Sequence, residues 1–150
     1  MKKIMIAVVA TLMMSLTTTL TMADEPKVSA IVQESFQKDY PNAEYVRWSK
    51  NGDYYVANFN NDMQRISVYY DENGKIYSIT RFIKAESVPL NALKAVEEKY
   101  DVTDADVSVM EVSKESRTYY LMSFTKENKY YIIESDASGN LKLVKKQKLG

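Results

Sequence analysis

The sequence predicts an α+β protein. Two tandem repeats, each a helix followed by a four-stranded meander, build an antiparallel sheet with both helices on one face. Three observations predict it. The first is internal repetition. "DYYVANF" (53–59) lies on "TYYLMSF" (118–124), and "DENGKIYS" (71–78) on "DASGNLKL" (136–143), both 65 positions apart; "SFQKDYP" (35–41) lies on "AVEEKYD" (95–101), 60 positions apart. The second is helical periodicity at the start of each repeat, and the third is a run of short β-rich segments punctuated by turn residues.

The elements follow in order. "MKKIMIAVVATLMMSLTTTLTMA" has a basic start at Lys2 and Lys3, an apolar run from Ile4 to Leu16 and a small residue at Ala23. That is the pattern of a secretory signal peptide over 1–23, cleaved after Ala23. The apolar run is shorter than the ~20 residues of a spanning helix, so no membrane association is expected after cleavage. The mature part, 24–150, reads as one domain of two repeats, 26–83 and 88–150. From Pro26 to Tyr40 apolar residues fall at Val28, Ile31, Val32, Phe36 and Tyr40, one stripe of a helix. Pro26 is expected in its first turn, and Pro41 stops it. A second helix opens at Pro89, with Leu90, Leu93, Val96 and Tyr100 as its stripe. Strands are expected at "EYVRWS", "DYYVANF", "QRISVYY" and "KIYSITRFI", then at "DVSVMEVS", "TYYLMSF", "KYYIIES" and "NLKLVKKQKL". "DENG" and "DASG" read as matching turns, with Gly74 and Gly139 at positive φ and Asp71 and Asp136 bonding turn amides.

One helix per repeat covers one sheet face. Alternation assigns Trp48, Tyr55, Ala57, Phe59, Ile66, Val68, Ile76, Phe82, Tyr120, Met122, Phe124, Leu141 and Leu143 to the helix side, the more apolar set. The other face then receives Arg47, Tyr54, Arg65, Tyr69, Tyr77, Arg81, Arg117, Tyr119 and Tyr131. Tyrosine and arginine are enriched at recognition surfaces. Tyr54, Arg65, Tyr69, Tyr77, Arg81, Tyr119 and Tyr131 are therefore the candidate partner-binding residues. Cross-strand tyrosine pairs also stabilise sheets on their own, by ~0.2–1 kcal/mol each, so the same pattern fits a purely structural role.

Composition narrows the chemistry. The chain of 150 residues contains no histidine and no cysteine, which removes the usual general base, thiolate chemistry and the common zinc, copper and haem ligands. No serine-nucleophile motif and no glycine-rich phosphate loop occurs. No catalytic residue, metal ligand or cofactor is expected, and the protein is read as a non-enzyme. Removing the leader leaves 18 Lys+Arg against 20 Asp+Glu, a balance without the basic excess that nucleic acid requires. "DVTDADV" (101–107) and the two Asp-led turns raise calcium as an alternative, but they lack the full ligand set of a calcium loop. They read as turn and capping residues. The core must hold without disulfides.

The motifs Phe36, Asp39-Tyr40-Pro41, Ala43, Trp48, Tyr54/Tyr55, Val56, Phe59, Val68, Tyr70-Asp71-Glu72-Asn73-Gly74 and Ile76 resemble the PepSY-like, β-lactamase-inhibitor-like family of small periplasmic proteins of Bacteroidetes. In the second repeat no tryptophan matches Trp48, and Asp101 stands at the place of Pro41. The resemblance implies tandem helix–meander units, helices on one side of a curved sheet, and a periplasmic or secreted location. A distant relative inhibits β-lactamase through its concave sheet face and is held by disulfides; the absence of cysteine here argues against carrying that activity over. The expected function is an exported binding module that recognises a protein or peptide partner through the open sheet face. The alternative is a ligand- or calcium-responsive periplasmic sensor.

Overall fold

The computed structural model describes residues 26–61 and 63–150; the leader read at 1–23 lies outside them. Helix α1 (Ala30–Asp39) precedes strands β1 (Glu44–Asn51), β2 (Tyr54–Asn61), β3 (Gln64–Tyr70) and β4 (Ile76–Ile83). Helix α2 (Leu90–Tyr100), flanked by 3-10 turns at Ala85–Ser87 and Asp104–Asp106, precedes β5 (Ser108–Lys114), β6 (Arg117–Lys126), β7 (Lys129–Ser135) and β8 (Leu141–Lys148). The fold is α+β. The eight strands form one antiparallel sheet in sequence order, with β4 paired directly to β5. β1 and β8 are its two edges. Among the described residues, no helix is long and apolar enough to cross a membrane.

Helix α1 starts later than expected. Ser29 is extended, and its hydroxyl accepts the Val32 N–H at 3.4 Å. That side-chain oxygen satisfies a donor the helix start leaves free, so the cap falls at Ser29 and Pro26 lies outside the first turn. Pro41 follows the helix end as expected. Val28, Val32 and Phe36 pack on Ala57, Phe59, Ile66, Val68 and Tyr70, with Trp48 edge-on to Phe36 at 5.3 Å. In α2 the buried stripe is Ala92, Leu93 and Val96, packed on Val109, Tyr120, Met122, Phe124 and Ile133. Ile31 and Leu90, assigned to the helix stripes, are 57% and 62% exposed.

The register places both helices on one face. Ile66 pairs with Arg81, Arg81 with Glu111, and Glu111 with Tyr120. Cross-strand partners share a face, so the α1 cluster at Ile66 and the α2 cluster at Tyr120 lie on the same side. The hairpin tips reach back to the helices. Gly74 and Gly139 have φ of 76° and 87°, and Asp71 Oδ1 accepts from the Asn73 and Lys75 amides as Asp136 Oδ1 does from those of Ser138 and Asn140. A Cβ on Gly74 would sit 2.4 Å from Ser35 Oγ, and one on Gly139 would sit 2.7 Å from the Asn91 carbonyl oxygen. Glycine is needed there for conformation and for close approach.

Two assignments of face change with the register. An irregularity opposite Tyr69 and Tyr70 pairs Tyr70 with Ile76 and Tyr69 with Ser78, leaving Tyr77 unmatched. This bulge reverses the phase of the rest of β4. Arg81 therefore lies on the helix face, and Phe82, paired with Met110, lies on the opposite one. In β7 the run Tyr130-Tyr131-Ile132-Ile133 is apolar on both sides and carries no phase of its own. Pairing of Tyr131 with Phe124 and of Ile133 with Met122 sets it, and Tyr131 stacks on Phe124 beneath α2. Arg81 and Tyr131 thus leave the predicted recognition face.

Candidate functional site: the sheet face opposite the helices

Of the other five predicted residues, Tyr54, Arg65, Tyr69 and Tyr119 lie on the face opposite the helices by register, and Tyr77 by its stacking on Tyr54. Four of them converge. The bulge that displaces Arg81 also turns Tyr77 toward Tyr54, and the two rings stack at 4.2 Å with 21° between planes. Lys114, from the end of β5, donates from Nζ to the Tyr77 hydroxyl and stands 4.2 Å from the centre of that ring. Tyr69 pairs with Ser78, Ser78 with Lys114 and Lys114 with Arg117, two residues from Tyr119 on the same face of β6. Arg65 sits four residues from Tyr69 on β3, about 13 Å along the strand. It is exposed and outside the tyrosine group.

The floor of this face is more deeply buried than alternation suggests. Tyr69 is 1% exposed and Tyr119 9%. Met110, Val112, Tyr119, Leu121 and Ile132 form a third apolar cluster with Tyr130 and Val144. The half built from β1–β3 is polar instead: Asn58 Nδ2 donates to Ser49 Oγ at 3.3 Å, and Ser67 Oγ donates to Asn58 Oδ1 at 2.7 Å. Sequence reasoning placed tyrosine and arginine on this face but missed the apolar group, because Leu121 and Ile132 alternate with equally apolar helix-side neighbours.

Electrostatics keep the phenols neutral. Burial, then the charges of Glu134 and Tyr77, push the Tyr119 phenol up to about 12, against the opposing pull of Arg117. Burial raises Tyr69 as well, and its hydroxyl has no hydrogen-bond partner among the described residues. Tyr54 is raised by burial and by its bond to Tyr77. Such phenols do not act as bases or nucleophiles at neutral pH; Tyr69 and Tyr119 are buried floor, and Tyr54, half-buried, offers flat contact area. Beside Tyr119 a cavity of about 370 Å³ is bordered by Arg117, Glu134, Asp136, Asn140 and Lys142. On the other side of the sheet a groove of about 640 Å³ opens between α1 and β1, lined by Phe36, Tyr40, Val46 and Trp48 with Gln33 and Gln37.

The acidic motifs are committed within the fold. Asp106 accepts the amide and hydroxyl of Thr103, closing a capping box around the second 3-10 turn. Asp101 accepts from Lys126 Nζ at 2.7 Å. Asp71 and Asp136 hold their own turns. Among the described residues no three acidic side chains are grouped to hold a metal.

No protein-family model matches the chain, and no curated protein does. Solved structures do. A BLIP-like protein of Bacteroides fragilis NCTC 9343 is 26% identical, with a TM-score of 0.67 over 85% of this chain and 92% of its own. A protein of Bacteroides eggerthii DSM 20697, provisionally described as periplasmic, is 20% identical with a TM-score of 0.69, covering 81% and 89%. A DUF2874 family protein of Bacteroides uniformis ATCC 8492 is 21% identical with a TM-score of 0.66, covering 79% and 88%. These neighbours support the β-lactamase-inhibitor-like, Bacteroidetes-type resemblance read from the sequence.

Proposed function

We propose that this chain is an exported, non-enzymatic binding module that recognises a protein or peptide through the sheet face opposite its helices. The observation that carries the reading is the stacked, half-buried pair of Tyr54 and Tyr77 with Lys114 and the exposed Arg117, set over the buried Tyr69 and Tyr119, on a face no described helix covers. Planar, amphipathic rings with few rotatable bonds give contact area at low entropic cost. The periplasmic description of one neighbour and the BLIP-like name of another fit an exported protein without catalysis. We read 26–83 and 88–150 as two repeats of one unit. In support, Gly74 meets Ile31 and Ser35, and Gly139 meets Asn91 and Ala95, pairs of helix positions separated by the same 60 residues as the repeat of the helices.

A photo-crosslinking amino acid tests the binding reading. Placed at Tyr54 or Tyr77, it is expected to form adducts with a periplasmic polypeptide. Placed at Lys94 on the exposed side of α2, it is not. Adducts at Lys94 alone, or none at Tyr54 and Tyr77, would refute it.

A further inference from the structure

Charge is sorted between the two sides of this molecule, although the whole chain carries 20 Lys+Arg and 20 Asp+Glu. The register assigns Arg47, Arg65, Lys114, Arg117, Lys142 and Lys145 to the face opposite the helices, as partners of Asn58, Asn60, Ser78, Lys114, Glu134 and Ile132. Among the described strand residues the carboxylates on that face are Glu134 and, at the start of β1, Glu44, with Asp53 and Asp71 in turns close enough to act on Tyr54. Glu134 is taken by Lys142 at 3.6 Å, and Lys114 is held by Tyr77. Arg47, Arg65, Arg117 and Lys145 form no ion pair among the described residues. Arg47, Arg65 and Arg117 are also exposed. They border a floor that is neutral throughout: Val56, Tyr69, Ser78, Thr80, Val112 and Tyr119. Outside this face Lys126 is bonded to Asp101, and Lys84 and Lys129 each have a carboxylate neighbour, while lysines such as Lys94 and Lys99 have none among the described residues. What sets the face apart is its six cations against two carboxylates on its described strands.

Segregated, unpaired cations around a neutral aromatic floor are the electrostatic complement of a carboxylate-bearing chain. Such complementarity selects a partner and speeds its arrival more than it strengthens the complex. Guanidinium groups also bind carboxylates in a two-pronged geometry that lysine cannot match. Resting on the binding reading above, we infer that the partner of this face is an acidic polypeptide segment. Its Asp and Glu side chains meet Arg47, Arg65 and Arg117, while its backbone or an aromatic side chain lies against Tyr54 and Tyr77. A nucleic acid would also seek cations and stacked rings, but it would call for a continuous basic stripe, whereas here Arg47, Arg65 and Arg117 are spread over β1, β3 and β6 and Glu134 takes up Lys142.

The test uses three labelled peptides, repeats of Glu-Glu-Tyr, Gln-Gln-Tyr and Lys-Lys-Tyr, and an oligothymidylate, each titrated against the protein by fluorescence anisotropy. The Glu-Glu-Tyr peptide is expected to bind best, with affinity falling about tenfold between about 50 and 500 mM NaCl as the charges are screened. Arg65→Glu/Arg117→Glu should weaken it at least about tenfold, while Lys84→Glu/Lys94→Glu, outside this face, should change it less than about twofold. Melting temperatures of both variants would confirm that they are folded. Equal binding of the Gln-Gln-Tyr peptide would overturn the acidic preference and leave the recognition face standing. Tighter binding of oligothymidylate, or no binding of Glu-Glu-Tyr, would overturn the inference outright, with the crosslinking at Tyr54 and Tyr77 deciding separately whether the face binds a polypeptide at all.

Discussion

At the scale of single residues, the hairpin glycines are the sharpest determinants. Gly139 combines left-handed φ with a helix carbonyl where its Cβ would stand. Alanine there must strain the turn and push the hairpin tip off α2. Gly139→Ala is expected to cost more than about 1 kcal/mol in urea unfolding. Gly52 also has positive φ, but its Cβ would meet nothing within 4 Å, so Gly52→Ala should cost less than Gly139→Ala. Asp136 adds a pH dependence. Its bonds from the Asn140 side chain and turn amides hold its carboxyl below the usual carboxylate value, as Lys126 does for Asp101. A group lowered in the folded state stabilises the fold above its unfolded pKa and loses that contribution as pH falls through the folded one. Stability should therefore decline on acidification below about pH 4. Asp136→Asn should flatten part of that decline in urea titrations at successive pH values. The glycines and aspartates were legible from sequence because a tight turn imposes local chemistry that few other residues satisfy.

At the scale of elements, the ends of α2 and the phase of β4 matter most. Lys126 reaches from β6 to the C-terminus of α2, bonding the carbonyls of Tyr100 and Asp101 at 2.9 and 2.6 Å. A cation at that end meets both the free carbonyls and the negative pole of the helix. Lys126→Met should cost about 1 kcal/mol in chemical denaturation. Hydrogen exchange should quicken most in the last turn of α2. Nothing in the local sequence around Lys126 announced this role, because its partners stand 25 and 26 residues away. The extent of β4, by contrast, was legible as a β-rich run after a turn, but not its phase. One unmatched residue at Tyr77 sends Arg81 to the helices and Phe82 away from them. A bulge is a property of two strands together, so a single strand's alternation does not reveal it.

At the scale of the whole molecule, the pairing of β4 with β5 makes one sheet from the two helix–strand halves. Arg81 and Glu111 cross that seam on the helix face at 2.6 Å, between the α1 and α2 clusters. The Glu111 side chain is 15% exposed and that of Arg81 45%. Loss of the arginine strands the more buried carboxylate. Arg81→Met should therefore destabilise by about 1–3 kcal/mol, and Arg81→Met/Glu111→Met by less than that single change, in a double-mutant cycle. A continuous sheet should also unfold as one unit, with circular dichroism and tyrosine fluorescence melting together. Sequence by itself determined the elements: the helix stripes, the strands and the turn chemistry are set by neighbours within a few residues, and those patterns are written in the chain. Only the tertiary structure decided which side of the sheet Arg81, Phe82 and Tyr131 occupy. Facing depends on register between strands far apart in sequence, where a one-residue shift inverts every side chain that follows.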